Sequence, residues 1–126
     1  MQTFIHYFLH LVFPVFIALV FFRKDWKKAY LIFLASMLVD LDHLFSTPIF
    51  QANRCSINHH LLHTYYAMGV YVLMLFFRRP IRILGIALLF HMFTDLMDCL
   101  MSYSKCAECL EGSKAIGLLK SIMGDE

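Results

Sequence analysis

Seven histidines, His6, His10, His43, His59, His60, His63 and His91, each fall near one end of an apolar segment of the chain. Asp40, Asp42, Asp95 and Asp98 sit among them. Ionisable groups at membrane depth are costly to desolvate and mark functional positions. Imidazoles and carboxylates gathered from several segments are the donor set of a divalent-metal site.

The donors come in four groups. His6 and His10 are four apart and share one helix face. In Asp40-Leu41-Asp42-His43, Asp40 and His43 are three apart and point the same way, and Asp42 acts from another angle or orients a ligand. The carboxylates lie at a helix C-terminus, where the macrodipole already disfavours negative charge, and a cation supplied from elsewhere resolves that conflict. In Asn58-His59-His60-Leu61-Leu62-His63-Thr64, His63 shares a face with His60 or with His59, but not equally well with both. In His91-Met92-Phe93-Thr94-Asp95, with Asp98 three further on, His91, Asp95 and Asp98 form a polar stripe. The aspartate either binds a metal with His91 or orients its ring.

The elements that must position these groups follow from composition. At 60% apolar and a mean hydropathy of +0.67, a chain of 126 residues carries more apolar surface than a small soluble domain can bury. Four apolar stretches stand out: Thr3–Phe22, Ala29–Phe45, Leu61–Phe77 and Ile81–Met101. Crossing the hydrocarbon core takes about 20 helical residues. The first and fourth stretches are long enough, and the second and third sit at the lower limit. The first lacks a basic leader and a small-residue cleavage site, so it reads as a retained helix. Pro14 should kink it. Short connections at Arg23–Lys28 and Arg78–Pro80 make successive helices antiparallel neighbours.

Tracing the chain up and down brings all four donor groups to one end. Arg23, Lys24, Lys27, Lys28, Arg78, Arg79 and Arg82 fall at the other. Arg54, Lys105, Lys114 and Lys120 are on the donor side. The basic excess makes its own side cytoplasmic, which places the donor layer and both termini outside. Cys55, Cys99, Cys106 and Cys109 also fall on the donor side, where an oxidising compartment permits disulfides in any of three pairings. For Cys106-x-x-Cys109, a disulfide or free thiols are favoured over a structural zinc. After Ser102 the composition turns polar, and Ala115, Ile116, Leu118, Leu119, Ile122 and Met123 suggest a short interfacial helix. No Gly-rich phosphate loop or serine nucleophile elbow is present, and no nucleic-acid partner is expected.

The ordered donor groups resemble the YdjM-like family of inner-membrane metal-dependent hydrolases. The shared pattern is an early membrane-helix histidine (His10 or His6), the Asp-x-Asp-His at residues 40–43, the motif from His60 through His63-Thr64, and the His-x-x-x-Asp from His91 to Asp95. It covers residues 1–101 and leaves the tail outside. One departure is that the broader family has a longer His-Arg-Gly-x-Thr-His arrangement, whereas His60 and His63 here are three apart. The resemblance implies metal binding more than it implies a substrate.

The expectation is an all-α, integral membrane four-helix bundle of up-down topology over residues 1–101, with a C-terminal tail at 102–126. It sits in a bacterial inner membrane with site and termini extracytoplasmic. The expected metal donors are His6, His10, Asp40, His43, His60, His63, His91 and Asp95. They would hold one or two divalent ions, zinc first. Asp42 and Asp98 are the candidate general bases. The expected activity is hydrolysis of an amphiphilic substrate, such as a lipid phosphoester, by metal-activated water. The alternative is a non-catalytic protein that binds or handles metal or haem. Haem needs facing histidines and few carboxylates.

Overall fold

The computed structural model describes residues 1–45 and 55–124, apart from the side chain of His43. The described residues form helices joined by turns, without a strand. Helix α1 runs Gln2–Phe21 and α2 Trp26–Ser36, the latter continuing as a 3-10 helix, Met37–Phe45. Helix α3 is Tyr65–Met74, α4 is Arg79–Lys105 and α5 is Ile116–Met123. All the others pack against α4.

Two of these helices, α1 and α4, are long and apolar enough to cross a membrane. Only 17% of the most apolar window of α1 is buried, so most of its hydrophobic surface faces outward. Pro14 lacks the amide that would bond back one turn. The turn before it widens into a π-helix over Phe8–Val12, and this turn carries the buried His10. The expected kink is therefore a π-bulge.

The second and third apolar stretches do not form long α-helices. Past Ser36 the chain winds as 3-10 helix, which rises about 2 Å per residue instead of about 1.5 Å. This drawn-out run carries Asp40 and Asp42. The third stretch starts as a separate 3-10 turn, Leu61–His63, and α3 begins only after Thr64, whose hydroxyl accepts from the Ala67 amide at 3.3 Å. Side chains hold the turn outside the helix. The Leu62 amide donates to Asp42 Oδ2 at 2.9 Å, and the Tyr71 hydroxyl donates to the Leu62 carbonyl at 2.9 Å. Ten-residue α3 rises about 15 Å, half the thickness of a hydrocarbon core.

Small residues bring the helices together. Ala18 of α1, Ala29 of α2 and Ala87 of α4 are fully buried in one cluster with Phe33 and Ile83. Gly85 of α4 meets α3 so closely that a Cβ there would lie 2.9 Å from the Tyr71 carbonyl oxygen and from Met74 Cβ. At the basic end, Arg79 and Asp25 pair at 3.1 Å, tying the α3–α4 connection to the α1–α2 connection.

At the donor end, Cys55 is bonded to Cys99 and Cys106 to Cys109. The tail does not lie apart from the helices. α4 continues beyond Met101 to Lys105, and Leu110, Ala115 and Leu119 are buried against Cys55, Ile57, Cys99 and Tyr103.

Candidate metal centre

The centre is assembled from the 3-10 run after α2, the turn before α3, and the middle of α4. His91 and Asp95 are one turn apart on α4 and share a face, as their spacing requires. His91 Nε2 donates to Asp40 Oδ1 at 3.1 Å. His63 Nε2 lies 3.0 Å from Asp95 Oδ2 and 3.4 Å from Asp40 Oδ1. Asp95 Oδ2 is also 3.4 Å from His91 Nε2. Asp40, His63, His91 and Asp95 thus offer four ligand atoms within 4.8 Å of one another. His63, His91 and Asp95 are buried, while the Asp40 side chain is 31% exposed at the rim.

His63 is fixed from both sides. Its Nδ1 donates to Asp42 Oδ2 at 3.1 Å, which leaves Nε2 facing the centre. The Asp42 carboxylate is anchored in turn by the Leu62 amide. An aspartate behind a histidine is the arrangement that orients a metal-binding imidazole. The backbone supports the turn, since the Asn58 amide donates to the His63 carbonyl at 2.8 Å. Asn58 itself is left-handed (φ 55°), a conformation asparagine tolerates. The Cys55–Cys99 bond then bolts this segment to α4 one turn beyond Asp95.

His63 lies outside both long apolar helices. Burial alone would pull its pKa down. The neighbouring carboxylates of Asp40, Asp95 and Asp42 outweigh that and hold it up at about 10.

His6 and His10 form a second group with Asp95, again with ligand atoms within 4.8 Å. His10 is buried, its ring 4.3 Å from that of His6 and 4.6 Å from that of His91. Its Nδ1 donates to the His6 carbonyl at 2.9 Å. Its Nε2 is 2.8 Å from Thr94 Oγ1 and 3.6 Å from Asp95 Oδ1.

The other residues singled out in the sequence are the expected donors His60 and His43, the candidate general base Asp98, and His59. His60 is buried with its ring 5.7 Å from that of His63, but belongs to neither donor group. His59 is exposed. The side chain of His43 and residues 46–54, Arg54 included, lie outside the described residues. Asp98 shares the face of His91 but sits two turns further along α4, about 10 Å away. There its carboxylate accepts from Gln2 Nε2 at 2.9 Å. Thr94, Tyr71 and Gln2 are polar contributors that the sequence did not single out. Only Thr94 carried a signal, lying within the His91–Asp95 motif.

The donor set fits a divalent cation. His6 Nδ1, His91 Nδ1 and Asp95 Oδ2 are buried with no hydrogen-bond partner among the described residues. Asp95 Oδ2 lies 3.0 Å from an imidazole nitrogen without hydrogen-bonding geometry, as expected of two groups aimed at a third point. Two cavities lie beside the cluster, one touching Asp42 and the other His6. One, of about 560 Å³, is walled largely by Leu41, Phe45, Leu61 and Leu62, with Asp42, His59 and His60 on its polar side. The other, of about 590 Å³, is polar and lined by Gln2, Thr3, His6, Asp98 and Lys105.

No curated protein and no solved structure matches this chain. A family model does, over residues 1–102, a stretch that contains every donor described above and ends before the C-terminal segment. The chain belongs to the family of unknown function DUF6122.

Proposed function

We propose that this protein is a multi-pass membrane hydrolase dependent on a divalent metal, zinc in the first instance, held by Asp40, His63, His91 and Asp95. The observation that carries the reading is the convergence of these four side chains, from three separated segments, within 4.8 Å of one another. The ordered resemblance to the YdjM-like metal-dependent hydrolases supports it, and so does the outward-facing hydrophobic surface. Phe4, Val20, Phe21, Leu31, Leu73 and Phe76 are all more than half exposed. The basic end marks the cytoplasmic side. The two disulfides agree with a donor end in an oxidising compartment.

A divalent ion bound here would bring the pKa of a water toward about 7 and draw charge from the scissile group. The chain's own residues do the rest. Asp42 holds His63 in the tautomer whose Nε2 faces the centre. His91 and Asp95 are locked by their shared face of α4. Asp40, at the rim, is the carboxylate placed to pass a proton toward solvent. Asp98, held by Gln2 two turns along α4, stands apart from the four donors. The apolar cavity suits the chain of an amphiphile, and the histidines at its wall suit an anionic head group. A lipid phosphoester combines the two.

The test is turnover of phosphatidic acid and related lipid phosphoesters by detergent-solubilised protein, before and after chelation and zinc add-back. The proposal expects chelator-sensitive hydrolysis that zinc restores. Stoichiometric metal without turnover of any ester would leave a non-catalytic metal-binding protein.

A further inference from the structure

Asp95 faces two sets of imidazoles with two different oxygens. Its Oδ2 is the oxygen near His63 Nε2 (3.0 Å) and His91 Nε2 (3.4 Å). Its Oδ1 is 3.6 Å from His10 Nε2. A carboxylate disposed in this way is placed to bridge. We propose that the protein holds a second divalent cation between His6, His10 and Asp95, joined to the first by the Asp95 carboxylate. This deepens the proposed metal centre and rests on it.

Three observations build the second site. The first is the preparation of His10. Its Nδ1 hydrogen is committed to the His6 carbonyl, so the neutral ring carries its lone pair on Nε2, the nitrogen near Asp95. The π-turn ahead of Pro14 carries this ring, which is buried against His91 and Thr94. The second is the unmet valence of His6. Its Nδ1 is buried and has no hydrogen-bond partner among the described residues. The third is charge. Asp40, Asp42 and Asp95 together outweigh one dication when ionised, while a second makes the sum positive. A positive sum receives an anionic head group. Three protein donors leave a coordination position open, as in sites that act on a substrate. The polar cavity beside His6 gives access from the donor-side surface.

Thr94 is the polar neighbour of the His10 lone pair. Its hydroxyl lies 2.8 Å from both His10 Nε2 and the His91 carbonyl. It can donate to the His10 lone pair or turn its hydrogen to the carbonyl. An arriving cation takes the lone pair, and the hydroxyl keeps the backbone bond.

The probe is Mn(II), titrated into detergent-purified, metal-stripped full-length protein and followed by bound-metal analysis and electron paramagnetic resonance. The proposal expects two equivalents per chain and an exchange-coupled spectrum, since a bridging carboxylate couples the two spins. In the His6→Ala/His10→Ala double variant it expects one equivalent and the uncoupled spectrum of isolated Mn(II). One equivalent in the wild type, or two without coupling, overturns it. The wild-type spectrum decides the matter even if the double variant does not fold. A coupled pair in a protein with no turnover would sink the hydrolase reading alone. An active protein with a single ion would sink only the bridge.

Discussion

Asp42 Oδ2 accepts from His63 Nδ1 at 3.1 Å, on the ring edge opposite the one that faces Asp95. The ring's rotation and tautomer are therefore set from outside the cluster. Replacing Asp42 by alanine removes the acceptor for both His63 and the Leu62 amide. Zinc affinity should fall by about 10- to 100-fold, the usual cost of losing an orienting carboxylate. Competition against a chromophoric chelator measures it, and unchanged affinity would mean that Asp42 does not orient the ligand.

Metal binding should compete with a proton on His63. With its pKa raised to about 10, this histidine stabilises the metal-free fold fully below its unfolded value of about 6.5. That contribution is lost as pH rises through about 10. The metal-free protein should therefore lose thermal stability between about pH 7 and 10, because the folded state binds the extra proton. The zinc-loaded protein should lose much less, the ion having replaced the proton. Zinc binding at pH 7.5 should release this proton, visible by calorimetry in buffers of different ionisation enthalpy.

The Cys55–Cys99 bond closes a separation of 44 residues and ties the His63 segment to the helix of His91 and Asp95. A loop of that length gives a chain-entropy stabilisation of about 4 kcal/mol. The Cys55→Ser/Cys99→Ser pair should lower the melting temperature and weaken zinc binding together, because the cut frees one ligand segment from another. Substituting Cys106 and Cys109 cuts a local loop of separation 3 and should leave zinc affinity unchanged.

Gly85→Ala places a methyl 2.9 Å from the backbone oxygen of Tyr71. Backbone cannot yield as a side chain can, so α3 must shift. A loss of about 1–3 kcal/mol is expected from thermal or denaturant unfolding in detergent. Since Tyr71 also holds the Leu62 carbonyl, the shift should reach the His63 turn. Gly69→Ala, with open space around it, should show neither effect.

Helices α1 and α4 were legible in the sequence because each is one unbroken apolar run. The winding of Met37–Phe45 and the separate turn at Leu61–His63 were not, since hydropathy does not distinguish 3-10 from α. The bonds that hold the turn come from Asp42 and Tyr71, distant in sequence. That His10, Asp40, His63, His91 and Asp95 would be gathered together was legible because imidazole and carboxylate are expensive among apolar neighbours. For Asp98, spacing gives the face of the helix, while the height at which other segments meet α4 decides its neighbour, which is Gln2. For His60, the turn gives Nε2 of His63, and not the ring of His60, the view of Asp95. The cysteine pairing needed the tertiary contact between Ile57 and the end of α4.

The central claim is that Asp40, His63, His91 and Asp95 hold a divalent metal. Its most direct test is elemental analysis of the full-length protein, purified in detergent, reconstituted with zinc and dialysed, beside His91→Ala and Asp95→Ala variants checked for helicity. The account predicts at least one zinc per chain in the wild type and loss of tight binding in both variants. A wild type that stays metal-free after reconstitution, or variants that bind as well as it does, would contradict it.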